Sequence, residues 1–78
     1  MKDELETKDL IYISSEAIAY SISNFLHQNN KKIITYDLVF SYVKQLVKDE
    51  KLVEQIYDEV RNLLINKYGI NLVLEKKI

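Results

Sequence analysis

The sequence predicts an all-α domain: a three-helix bundle, helix-turn-helix or winged-helix-like in plan, closed by a short extended C-terminal segment. Three observations predict it. Between Asp49 and Lys67, the side chains of Leu52, Val53, Ile56, Val60, Leu63 and Leu64 fall at the i, i+3, i+4, i+7 spacing of one helix stripe. The only glycine, Gly69, stands just past the end of that stripe. Two further amphipathic stretches precede it, and the chain has no proline to kink any of the three. A plain bundle with its tail lying alongside and a helix-turn-helix core both satisfy this pattern.

Residues 1–9 offer few apolar anchors and are expected to form a flexible N-terminal segment, with Leu5 as a docking candidate. Residues 10–78 then make a single small helical domain. Leu10-Ile11-Tyr12-Ile13 suits either a short strand or the first turn of a helix, because periodicity does not separate the two over four residues. Ser14 or Ser15 suits an N-cap, with Glu16 near the positive end of the helix dipole. A helix to about Gln28 follows, with Ile18, Ile22, Phe25 and Leu26 inward and Ala17 and Ala19 as small neighbours. Asn29-Asn30-Lys31-Lys32 ends it, since asparagine tolerates the left-handed conformation.

Ile33-Ile34 reads as extended, and Thr35 as the cap of a second helix with Asp37 in its first turn. Leu38, Val39, Tyr42, Leu46 and Val47 are expected on its inner face, with Phe40 and Val43 on the flanks. A sharp turn at Lys48-Asp49 leads to the third helix, which Asp49 caps. Gly69 suits the left-handed position beyond its C-terminus, where a Cβ costs about 1–2 kcal/mol. Ile70, Leu72 and Leu74 then alternate with Asn71 and Val73 at a strand period. That tail can pair with Ile33-Ile34, or with residues 10–13 if they are extended.

Composition narrows the function classes. Seventy-eight residues support one domain near the lower size limit for an unstapled core. With no cysteine and a single histidine, His27, neither disulfides nor a zinc site is expected, and no cofactor is implied. No apolar run approaches the roughly 20 residues of a bilayer span. The start of the chain is acidic and polar, unlike a signal peptide, so the cytoplasm is expected, or the interior of a host cell for a viral gene. The net charge of −1 is unevenly spread. Residues 10–48 hold four cations against two anions, and residues 49–66 hold two against five. Such alternation opposes general nucleic-acid binding, which needs excess positive charge.

Two groups of charged residues are candidate sites. Glu50, Glu54 and Asp58 stand four apart and form an acidic ridge on the third helix, either a solvated face or a docking surface for a basic partner. Lys31, Lys32, Lys44 and Lys48 are candidate phosphate contacts, or else solvated lysines at loops and helix ends. The outward positions of the third helix carry four carboxylates against two cations, so its Coulomb term opposes direct DNA reading. Lys44 and Lys48 of one copy facing Glu54 and Asp58 of another would make a homodimer. Of six tyrosines, Tyr42 and Tyr57 are expected beside the core, while Tyr20 and Tyr36 are hard to place inside and favour an interface. His27 reads as a solvated helix-end group, and Ser14 and Ser15 as caps without a general base. A chain this short is expected to lack a pocket of about 300 Å³ or more lined by its own core, so an enzyme is the least expected class.

At Lys31 to Leu38 (Lys-Lys-Ile-Ile-Thr-Tyr-Asp-Leu) and at Glu54 to Glu75, the chain resembles region 1.1, the N-terminal domain of bacterial primary sigma factors. Thr35, Tyr36 and Asp37 match the motif that opens one helix of that family. Gln55, Ile56, Asp58, Gly69, Ile70 and Val73 match a second motif. The family's proline between the motifs is absent here, the spacing is longer, and the family's strong acidity is replaced by a net charge of −1. The resemblance implies a protein-binding helical module in transcription or its regulation, with RNA polymerase or another transcription component as partner. The alternatives are a homodimeric nucleic-acid-binding protein that uses the four lysines, or a viral accessory protein. Lys32 to Leu46 is also similar to the loop and third helix of histone folds, though little chain precedes Ser14 to supply a first histone helix.

Overall fold

The computed structural model describes residues 7–74, in the order α1 (Thr7–Gln28), β1 (Ile33–Thr35), α2 (Tyr36–Leu46), α3 (Glu50–Asn66) and β2 (Asn71–Val73). The domain is mostly helical, with one small sheet of two parallel strands.

Leu10 to Ile13 belong to α1, which runs unbroken for 22 residues from Thr7. The N-terminal segment expected to be flexible through residue 9 is therefore helical from Thr7; Leu5 lies outside the described residues. Ser14 and Ser15 consequently cap nothing. Ile11, Ser15, Ile18, Ile22 and Leu26 share one helix face and sink toward the core, and that burial carries the helix back past the serines. Ser15 is fully buried, its hydroxyl donating to the Ile11 carbonyl at 2.6 Å. At the other end, Asn30 takes a φ of 57°, and the Lys31 N–H closes onto the Leu26 carbonyl at 2.8 Å.

The later caps follow the sequence closely. Thr35 Oγ1 accepts from the Leu38 N–H at 3.2 Å, and Asp49 Oδ1 accepts from the Lys51 N–H at 3.0 Å. Past α3, the N–H groups of Lys67 and Tyr68 both reach the Leu63 carbonyl, and Gly69 at φ 67° lets the Ile70 N–H turn back to Leu64 at 2.8 Å. This reversal lays β2 beside β1 in the register Ile33 to Asn71, Ile34 to Leu72 and Thr35 to Val73. Of the two pairings open to the tail, the one with residues 33–35 forms, since residues 10–13 are helical. The strands are parallel because the whole α2–α3 unit serves as their crossover.

Helix α3 is the wall that both other helices share. Val53, Ile56, Val60, Leu63 and Leu64 are buried along it, with Leu52 half-buried. Both α1 and α2 pack on α3 and scarcely touch one another. Ser15, Ala19 and Ser23, each four apart and buried, keep the α1 contact face thin enough for close approach to α3. The inner face of α2 differs from the expected one. Val39 and Val43 are its buried residues, with Phe40 and Val47 partly buried beside them, whereas Leu38 and Leu46 are at least half exposed. Phe25 of α1 likewise points out of the core, 64% exposed. With α3 as their common support, each helix turns inward the strip that faces α3, and the neighbouring apolar strip is left over.

Candidate functional site

Those leftover strips face each other. On α1, Leu10, Ser14, Ala17, Ser21 and Phe25 recur at helical spacing along one flank; on α2, Leu38, Tyr42 and Leu46 stand four apart. Between them is an uncovered trough of two hollows that share no lining residue. One, of about 330 Å³, is lined by Ser21, Ile22, Phe25, Ile34, Leu38 and Tyr42. The other, of about 430 Å³, lies between Leu10, Ser14 and Ala17 of α1, Leu46 at the end of α2 with Val47, Lys48 and Asp49 after it, and Leu52 and Ile56 of α3. These are surface hollows rather than pockets within the core: two helices that lean on a third without meeting open them. Tyr42, expected beside the core, lines this trough. The signal was present in the sequence, because α2 is apolar on two adjacent strips and needs only one to pack on α3.

Glu50, Glu54 and Asp58 are all exposed and lie along one side of α3. The ridge is not uniformly free, since Asp58 is paired with the Arg61 guanidinium. Arg61 also lies 4.8 Å over the Tyr57 ring, and Tyr57 meets Phe40 edge-on with centroids 5.1 Å apart. Burial pushes the Tyr57 hydroxyl above its ordinary range. This group clamps α2 to α3 beside the ridge, a structural role that accounts for Tyr57 where the sequence placed it.

The four candidate lysines are exposed but not gathered. Lys31 and Lys32 lie between α1 and β1, before the start of α2, while Lys44 and Lys48 flank its far end. Lys31 and Lys32 join His27, Asn30, Ile33 and Asn71 around a hollow of about 400 Å³ at the end of α1. Sequence reasoning missed the pairing of Glu16 with Lys67, residues 51 positions apart. The Lys67 ammonium donates to Glu16 Oε2 and holds that carboxyl below its ordinary value, while the same bond raises Lys67. Tyr68 donates to the same oxygen at 3.4 Å. Tyr20 is well exposed and Tyr36 half-buried. Among the described residues, no group of His, Asp and Glu is placed to hold a metal, and no helix is long and apolar enough to cross a membrane.

Fold and surface together define a small α-helical domain, braced by a two-stranded parallel sheet, with apolar strips of α1 and α2 left uncovered. Compared with known proteins, the chain matches no family model, no curated protein and no solved structure.

Proposed function

We propose that this chain is a small helical interaction module that binds another protein. The uncovered trough between α1 and α2 carries the reading. Phe25 and Leu38 line one of its hollows and Leu46 the other, each at least half exposed. Apolar surface left exposed in this way marks interaction sites in small proteins. Fully burying one such side chain is worth about 1.5–3 kcal/mol, so a partner laid along the trough has a driving force ready.

The setting in transcription rests on the resemblance to sigma region 1.1. Thr35 caps α2 as the matching motif requires, and Gly69 closes α3. The short connection Val47–Asp49 between α2 and α3 also suits a helix-turn-helix plan. In this reading the module works in the cytoplasm, and Glu50, Glu54 and Asp58 meet a basic surface of RNA polymerase or another transcription component. The nucleic-acid alternative draws less support, because Lys31 and Lys32 lie far along the chain from Lys44 and Lys48 and form no single basic stripe.

The test is capture from an extract of the native cell by the immobilised chain, beside the variant Leu38→Asp. Enrichment of a polymerase subunit by the wild type, and its loss in the variant with helicity intact by circular dichroism, is the expected outcome. An extract that never yields a transcription component removes that setting, and equal capture by the variant removes the trough from the reading.

A further inference from the structure

We infer that the hollow where α1 ends and the two strands begin is an anion site, and that it takes the phosphate group of a small phosphorylated ligand. It is separate from the trough and needs no protein partner.

Three parts of the chain meet there. His27 lies in the last turn of α1, Asn30, Lys31 and Lys32 link it to β1, and Asn71 opens β2. With Ile33 these residues line a space of about 400 Å³. Small-ligand sites run from about 300 to 1,000 Å³, so there is room. The backbone around the space is fixed. Asn30 at φ 57° turns the chain, and the N–H groups of Asn29 and Lys31 both close on the Leu26 carbonyl, at 3.0 and 2.8 Å. The Asn30 N–H closes on the His27 carbonyl at 3.0 Å, and from the second strand the Asn71 N–H reaches the Lys32 carbonyl at 2.7 Å. A loop held by so many backbone bonds has little freedom left to lose on binding.

Those same bonds decide the sign of the ligand. The carbonyls of Leu26, His27 and Lys32 already accept from the chain, and that of Phe25 accepts from the Asn29 amide at 2.8 Å. What the lining still offers is donors: two ammonium groups, an imidazole, and the side-chain amides of Asn30 and Asn71, each of which can turn an N–H inward. Among the described residues, none of these five side chains has a hydrogen-bond or ion-pair partner. No carboxylate lines the hollow. The C-terminal end of α1 opposes an anion with about half an elementary charge. Lys31 and Lys32 set two full positive charges against it. The cations outweigh the dipole.

The grouping of the charges selects the ligand class. Lys44 and Lys48 lie at the other end of α2, a helix of 11 residues. That is about 16 Å of rise. A nucleic-acid backbone needs a row of cations and finds one pair, whereas a single phosphate group is met by the whole set. Its three terminal oxygens can each take a donor, more than a carboxylate offers. Ile33, 55% exposed, adds an apolar wall for the organic part of a phosphate monoester.

The test is a titration of the full chain followed by amide NMR, at constant pH and ionic strength so that general screening does not change. The probes are inorganic phosphate, phenyl phosphate and a short single-stranded oligothymidylate. Both phosphates are expected to give saturable shifts at about millimolar concentration, confined to the residues that line the hollow, with phenyl phosphate the tighter. Lys31→Gln/Lys32→Gln is expected to weaken both by about tenfold or more, and Lys31→Arg/Lys32→Arg to keep them. Lys44→Gln/Lys48→Gln is expected to change nothing. All four lysines are exposed, so these variants leave the core alone. Shifts that grow without saturating, that appear equally at Lys44 and Lys48, or that survive Lys31→Gln/Lys32→Gln overturn the inference. An oligothymidylate that binds more tightly than phenyl phosphate, with shifts reaching Lys44 and Lys48, overturns it in favour of a nucleic-acid path.

Discussion

Gly69 stands at φ 67°, and a Cβ built on it would have nothing within 4 Å. Any penalty for a larger residue there is conformational, with no steric clash to confuse it. Gly69→Ala is expected to cost about 1–2 kcal/mol, which at roughly 4–8 °C per kcal/mol is a clear fall in Tm by calorimetry. A variant as stable as the wild type would show that the α3 terminus relaxes out of the left-handed region. Asn30 holds the corresponding place after α1 at φ 57°, with a side chain better suited to it than most. These positions were legible in the sequence because capping is local: Thr35, Asp49, Asn30 and Gly69 each act on backbone within a few residues of themselves. Ser15 was not. A serine hydroxyl that caps a helix and one that bonds back to the carbonyl four residues earlier look identical in sequence. Only the packing of Ile11 against the core tells them apart.

At the scale of the elements, α1 shows what periodicity can and cannot assign. Its buried face mixes Ile18, Ile22 and Leu26 with Ser15, Ala19 and Ser23, so that bulk and thinness alternate against α3. Ala19 is wholly buried, and added methylenes there have no room. Ala19→Leu is expected to destabilise by about 1–3 kcal/mol through overpacking, read as a lower urea midpoint with an unchanged m-value. Tolerance of leucine would mean that α1 and α3 are not in close contact at that level. Helix α2 teaches the complementary lesson. Leu38 and Val39 sit on adjacent apolar strips, and either could face inward; hydropathy ranks them alike. The sequence placed Leu38, Tyr42 and Leu46 inside along with Val39, and only the direction of α3 selected Val39 and Val43.

For the whole molecule, the bond between Glu16 on α1 and Lys67 just past α3 fastens the long helix to the end of its supporting wall. Its contribution depends on both charges. Glu16 is held below its ordinary 4.5, chiefly by the hydrogen bond from Lys67. Its contribution is therefore present above pH 4.5 and lost as pH falls through the lower folded value. Lys67 is raised above 10.5, chiefly by the same hydrogen bond, so its contribution is full below that pH and lost as pH rises through the folded value. Glu16→Gln is expected to flatten the acid limb of the Tm–pH curve relative to the wild type and to leave the slope through neutrality unchanged. Parallel acid limbs in the two proteins would show that the pair contributes nothing linked to Glu16. The side chains are partly exposed, so added salt should weaken the effect.

By itself the sequence determined the helical class, the starts of α2 and α3, the inward stripe of α3, the extended pair at Ile33-Ile34 and the glycine that turns the tail back. All of these depend on neighbours a few residues apart. Tertiary structure decided that residues 7–13 belong to α1, that the tail pairs in parallel with β1, and that Glu16 meets Lys67. It also decided which of two adjacent apolar strips on α2 was left uncovered. The physical reason is that burial belongs to a pair of surfaces: hydropathy says a strip can be buried, and only the position of the facing helix says that it is.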